Sequence, residues 1–420
     1  MSAMIRCFYA YADEWRKSLS RLDLMRVATD SMYLGAATGV SGAAALMVSL
    51  IFTRLSTPEM YGQYRYIFSI LGVIALFSLP GMNVAIARSS ARGFDGTLWE
   101  GTKARLRFAL LGSAVLVAIA GLLAYQGRPV LARAALVGAV LFPLLWPLDS
   151  YLFYFNGKRQ FRRFATFTAV LALAPLLVLL VTVLVTDHVE YVILTNLLTV
   201  AGLNVMLMLH TLRGVGYNQP VDVEGLRYGW RVSGVNVIGT VHAHLANLVV
   251  GTFLGFTDLA LFTVGTICAE MFKKAMDVLN LQMFPRLAAA DKRDARVSLR
   301  RSLLIGFPVM LLTGMIVFVS LPVLVPLVFT AQYRESILYA RVLIAGVILS
   351  FPGNQFNTYL ASRGQARAQY RLLASALLVE LVSLIILARQ LGLLGVALAK
   401  STVWVWQSLY GWWLVRRFRE

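Results

Sequence analysis

The sequence predicts an all-α polytopic membrane protein. It has twelve transmembrane helices, forming two six-helix pseudo-repeats around a central cavity, with both termini cytoplasmic. Three observations predict this. The 420 residues are 59% hydrophobic and only 14% charged, with a mean hydropathy of +0.71, too little polar surface for a soluble chain of this size. Lysine and arginine alternate from one inter-span connection to the next. A gap-free repeat recurs at an offset of 205 residues.

Apolar stretches able to cross the hydrocarbon core occur at 31–53, 64–87, 108–125, 134–155, 167–186, 190–212, 230–254, 258–284, 303–329, 335–360, 371–389 and 394–415. The first 30 residues hold no apolar core followed by a small-residue cleavage site. Within them, RCFYAYADEWRKSLSRLDLMR reads either as a basic amphipathic helix on the membrane surface or as a plain cytoplasmic tail. Together with the outermost two positions of the flanking spans, the two tails and every second connection hold 29 Lys and Arg, whereas the other six connections hold 6. Insertion disfavours moving positive charge across the bilayer, so the first set is cytoplasmic. A missed or extra span would scramble this alternation. The net charge of +19 is therefore topological, and nucleic acid is not an expected partner. Cys7 and Cys268 match no metal spacing and form no disulfide framework.

LWPLDSYLFYFNGKRQFRR from Leu145 aligns with SFPGNQFNTYLASRGQARA from Ser350. Pro147 meets Pro352, Tyr154 meets Tyr359, Gln160 meets Gln365 and Arg162 meets Arg367. Both stretches leave a span and enter a basic loop. A weaker echo links RLSTPEMYGQY at 54–64 to FLGFTDLALF at 253–262. The chain thus divides into a segment 1–30, a half 31–213, a linker 214–229 and a half 230–420. An even span number gives both halves one orientation, and repeats of this kind place a transport site between them.

TRLSTPEMYGQYRYIFSI with SLPGMNVAIARSSARG, then LNLQMFPRLAAA, then ASRGQARAQYRLL with LGLLGVALAKSTVWVWQSLYGWWLVRRF, resemble the multidrug/oligosaccharidyl-lipid/polysaccharide exporter superfamily. Within it they look most like the polysaccharide transporter branch, which includes Wzx-type O-antigen flippases. The resemblance covers nearly the whole chain. It implies that the substrate is an undecaprenyl-pyrophosphate-linked oligosaccharide, moved from the cytoplasmic to the outer leaflet of a bacterial inner membrane. It also implies a cavity whose cations face the pyrophosphate or acidic sugars, and coupling to protons or sodium, with no other cofactor. The expected partners are the lipid-linked oligosaccharide, membrane lipid, and a glycan polymerase with other assembly proteins.

AEMFKKAMD at 269–277 places Glu270, Lys273, Lys274 and Asp277 on one helix face. Each charge facing lipid at mid-bilayer would cost roughly 2.5–3.5 kcal/mol, so the stripe faces protein or water. Either it packs as two neutral pairs, or it lines the cavity with lysines for phosphate and carboxylates for coupling. His242 and His244 reach similar depth and are candidate proton relays. Their spacing puts them on different faces, so no metal site is expected. Glu380 and Lys400 reach similar depth across the last hairpin and read as a structural ion pair. Arg341 either lines the outward half of the cavity as a third substrate-binding cation or snorkels to the outer interface. Asp149 either caps a proline-broken helix or enters the cavity.

No enzyme is expected. The outward loops are too short to hold the acceptor of a glycan polymerase or acyltransferase. There is no G-x-S-x-G nucleophile and no Walker A sequence. The other transporter reading is a multidrug-type efflux antiporter of the same superfamily.

Overall fold

Lipid offers the backbone no hydrogen-bond partners, so a spanning chain of this kind must satisfy itself as helix. Every regular element among the described residues is helical. The structure, a computed structural model, describes residues 21–215, 219–289 and 292–417, and side chains throughout these except at 21–28, 235, 275–289, 292–293 and 366.

The helices are α1 (Arg21–Leu55), α2 (Pro58–Ile74), α3 (Gly81–Ala91), α4 (Thr97–Tyr125), α5 (Pro129–Leu141), α6 (Ser150–Gly157), α7 (Phe161–Val185) and α8 (Val189–Val215). They continue with α9 (Val223–Phe253), α10 (Phe256–Ala289), α11 (Lys292–Phe329), α12 (Ser336–Ser362) and α13 (Ala366–Arg417). Eight helical segments are long and apolar enough to cross a membrane, and the bent α2–α3 pair makes a ninth. α9 and α10, rich in histidine, asparagine and charge, are not among these. α13 counts once in that tally, although Gly392 breaks it at φ 57°. A Cβ on Gly395 would fall 1.8 Å from the Leu387 carbonyl oxygen, so the chain turns back tightly on itself there.

Proline and capping chemistry set the local breaks. Pro58 opens α2, with Thr57 as N-cap accepting the Met60 N–H. Leu79 then turns left-handed at φ 50° and Pro80 follows, bending α2–α3 by 49°. Pro143 and Pro147 split the α5–α6 span into short 3-10 turns. The freed Leu145 carbonyl accepts from Asn204 Nδ2 at 3.0 Å, which is how a broken helix stays tolerable in lipid.

α1–α8 pack chiefly on one another, as do α10–α13, whereas α9 lies more against α2 and α3 than against its own half. The two bundles meet where α9 lies along α2 and α3, α10 lies along α2, and α1 touches α11. Glycine permits the closest of these approaches: a Cβ on Gly62 would lie 1.8 Å from the Phe256 carbonyl oxygen, and one on Gly81 2.2 Å from the Ser233 nitrogen. One end of the helices is rich in arginine, holding Arg88, Arg92, Arg159 and Arg363. At the far end, Arg54 donates to Leu327 O at 2.8 Å and Val328 O at 3.1 Å, and Gln332 donates to Thr53 O at 3.0 Å. These bonds tie the bundles together there.

The aligned segments share a turn. Arg159 and Gly364 are both left-handed, at φ 56° and 67°. In each, three consecutive N–H groups return to matching carbonyls of the preceding helix. Lys158 lies over Tyr154 at 5.9 Å and Arg363 over Tyr359 at 5.8 Å. The spans before the turns differ, because α12 runs unbroken through Pro352.

Candidate functional site

Small and polar residues of α2 bring α9 close along the seam between the bundles. Tyr66 and Thr252 share a hydroxyl hydrogen bond of 2.9 Å, and Asn247 donates to Ser69 Oγ at 3.1 Å. A Cβ on Gly72 would lie 2.3 Å from His244 Nε2, so the glycine makes room for the imidazole. The structure thus sets His244 on the first bundle.

Charges from four helices converge beside this seam. Lys400 of α13 lies within electrostatic reach of Glu270, Glu380, Lys273 and Arg65, with Glu270 the strongest influence among them. His244 feels Arg65 and Lys400. Arg65 comes from α2, so both bundles contribute. Its Nε is buried without a hydrogen-bond partner among the described residues. Lys400 is half-buried, its Nζ 5.9 Å from the Phe262 ring centre.

Glu380 does not pair with Lys400 as expected from the hairpin. Its side chain is fully buried, and its Oε2 is hydrogen-bonded to His242 Nδ1. The reason is packing: α9 crosses α13, so Glu380 meets a partner on a neighbouring helix. Its other oxygen, Oε1, has no hydrogen-bond partner among the described residues. His242 is 28% exposed and is the side of the pair that faces outward.

On α10, Ala269 and Phe272 are buried, whereas Glu270, Met271 and Lys274 are exposed and Lys273 is half-buried. Glu270 and Lys274 make no ion pair among the described residues. The Asp277 side chain and the LNLQMFPRLAAA segment lie largely or wholly outside the described side chains. Arg341 is not brought to this cluster. Its guanidinium lies over Phe318 of α11 at 4.9 Å, in a seam within the second bundle.

A cavity of about 550 Å³ lies toward the arginine-rich end from His242, lined by Pro80, Asn236, Gly239, Thr240, Asn357 and Gln369. It joins the α3 break to α9, α12 and α13.

A second charged cluster lies inside the first bundle. Arg105 of α4 is 1% exposed. Its Nε donates to Ser78 O at 2.7 Å, and its Nη1 reaches Asn83 Oδ1, Asp149 Oδ1 at 2.8 Å and Ser150 Oγ at 2.7 Å. The guanidinium therefore pins the α2–α3 break against the α5–α6 break. Asp149 serves this clamp, near a cavity of about 210 Å³ that it lines with Trp146 and Asn204.

Residues 51–338 match the family described as polysaccharide biosynthesis protein. No curated protein sequence matches significantly. Among solved structures, the chain is similar to an inward-facing multidrug resistance MATE family transporter of the MOP superfamily, at a TM-score of 0.69 and 15% identity. That match covers 92% of this chain and 97% of the other. It is also similar to the lipid II flippase MurJ in an inward closed conformation, at 0.70 and 12%, covering 90% and 86%. An outward-facing MATE structure matches at 0.63 and 14%, covering 94% and 96%.

Proposed function

The chain belongs to the polysaccharide biosynthesis protein family, and from that premise we propose that it is a flippase for an undecaprenyl-pyrophosphate-linked oligosaccharide, working by alternating access. The two halves are residues 31–213 and 230–420, joined by the linker 214–229. They cross a bacterial inner membrane as twelve spans, with the arginine-rich end and both termini in the cytoplasm. The recurring left-handed turn at Arg159 and Gly364 supports the pseudo-repeat.

One observation carries the reading: cations from both bundles, in no ion pair among the described residues, meet at their seam. Arg65, Lys273 and Lys400 gather there, and the exposed α10 face with Glu270 and Lys274 adjoins them. Charges at this depth cannot face lipid, so they look into water that a pyrophosphate can displace. Arg65 comes from the half opposite Lys273, so an anion held between them feels both halves. The far-end bonds of Arg54 and Gln332 close the outer side, and the cavity by Pro80 and Asn236 opens inward. Release outward requires those far-end bonds to break.

The buried Glu380 with its His242 partner is the coupling device in this reading. The pair lies within electrostatic reach of Lys400. A change of one proton there alters the field at the substrate cations and so biases one state over the other. The chain then works beside membrane lipid and a glycan polymerase.

The test uses purified protein in sealed liposomes with a fluorescent undecaprenyl-pyrophosphate oligosaccharide. Label should change leaflet with wild-type protein and stop with Lys273→Ala/Lys274→Ala. No movement, with or without a proton gradient, sinks the reading, and drug efflux becomes the next assay. Intact movement in the double variant, with only a lower melting point, returns those lysines to packing.

A further inference from the structure

A basic pocket at the arginine-rich end is separate from the central cluster. Arg88 in the last turn of α3 and Arg92 at its C-cap lie four apart. The first turns of α9 carry Arg227 and Arg231, also four apart. Residues at this spacing share a helix face. α3 and α9 pack together: a Cβ on Gly229 would lie 2.9 Å from Met82 Sδ, and one on Gly225 2.5 Å from Ser89 Oγ. The two arginine pairs therefore meet across a cavity of about 310 Å³.

The acidic groups nearby do not neutralise this pocket. Asp222 is occupied as the α9 N-cap. It accepts from the Gly225 N–H at 2.8 Å and Ser89 Oγ at 2.9 Å, with Arg92 at 3.4 Å. Glu224 is exposed and forms no ion pair among the described residues. Tyr228 forms one wall, its ring centre 5.5 Å from the Arg88 guanidinium carbon. Four guanidinium groups against two carboxylates leave an excess of two positive charges around one hollow. Like charges facing each other across a packed seam repel unless an anion joins them. Guanidinium groups match phosphate oxygens in geometry as well as charge.

We propose that Arg88, Arg92, Arg227 and Arg231 form a phosphate-binding pocket for a phosphate-bearing anion at the membrane surface. The anion is either a lipid headgroup or a free phosphate. Since α3 belongs to the first bundle and α9 to the second, its occupant clamps the bundles together at this end. The pocket stands whether or not the central cluster moves a glycan lipid, because binding is read without transport.

The experiment measures thermal unfolding of the full chain in neutral detergent. The additives are inorganic pyrophosphate, mixed micelles of phosphatidylglycerol, and mixed micelles of phosphatidylcholine. The wild-type midpoint should rise by several degrees with pyrophosphate or with phosphatidylglycerol, and the effective one identifies the source. The rise should weaken with added salt and be absent with phosphatidylcholine. Arg227→Gln/Arg231→Gln removes two exposed side chains. Its midpoint without additive should stay near wild type and its anion-dependent rise should vanish. Arg300→Gln/Arg301→Gln, exposed on α11 at the same end, should keep the full rise. The proposal is overturned if no anion shifts the wild type, if the Arg227/Arg231 variant keeps the shift, or if the α11 control loses it equally.

Discussion

Arg105 and Arg65 are both arginines held within helices, and their surroundings are opposite. Arg105 is enclosed, and its partners are a carboxylate, an amide oxygen, a backbone carbonyl and a hydroxyl. Arg65 has a buried Nε with no hydrogen-bond partner among the described residues, and its charge acts on Lys400 and His244 of the other bundle. A fully matched charge has its interactions already made and holds a shape. An unmatched one, in a place where bare charge is costly, has capacity left for something that arrives. The first bundle spends its buried arginine on fixing two helix breaks, and the seam keeps its cations open.

The comparison yields tests of decreasing size. Arg105→Ala leaves the half-buried Asp149 without its cation and the Ser78 carbonyl orphaned. Removing one partner of a buried pair costs about 3–5 kcal/mol, so the variant should melt well below wild type or fail to give a monodisperse peak in detergent. Arg65→Gln should do the reverse. Its melting point should stay close to wild type, whereas leaflet transfer in liposomes should fall about tenfold, ~1.4 kcal/mol at the barrier. Equal losses of stability in both variants would erase the distinction drawn between them.

Glu380→Gln sharpens it further. The amide keeps the shape and the contact with His242 but cannot exchange a proton. Stimulation of transfer by an imposed proton gradient should disappear, with transfer in its absence changed less than twofold. A gradient response that survives removes Glu380 from coupling.

The smallest effect belongs to Asp222, outside the membrane. The Gly225 N–H holds its carboxyl below the usual carboxylate range, with Ser89, Arg92 and Arg88 adding to this against the opposing effect of burial. A carboxylate lowered on folding stabilises the fold above its unfolded pKa of about 3.9, and that stability is lost as pH falls through the folded value. Asp222→Ala should therefore cost about 1 kcal/mol near neutral pH, the worth of an N-cap. The gap to wild type should begin to close in melting curves below about pH 4 and vanish only below the lowered folded value.

Much of the helix plan was legible in hydropathy, and the misses share one cause. An apolar window finds the middle of a helix and assigns its charged ends to loops. The third span was expected to begin at 108, but α4 begins at Thr97, so Arg105 read as a loop charge. The second was expected from 64, but α2 begins at Pro58, so Arg65 lies about two turns inside the helix rather than at its start. Pro58 behind an N-capping Thr57 was the available signal for that start. The Glu380–His242 contact joins residues 138 apart and depends on how α9 crosses α13, which no periodicity encodes. The repeat was visible because its turn uses the same backbone solution twice, Arg159 and Gly364 both left-handed.

The Arg105 clamp also bears on how the chain is made. Its parts are spread from Ser78 to Ser150. While the ribosome has not yet delivered Asp149, the α2–α3 break lacks part of its partner set, and an arginine must wait inside the insertion machinery. A nascent chain stalled before Asp149 should then be a target for membrane quality-control proteases. One released beyond Gly157 carries every group needed to seal its own first bend.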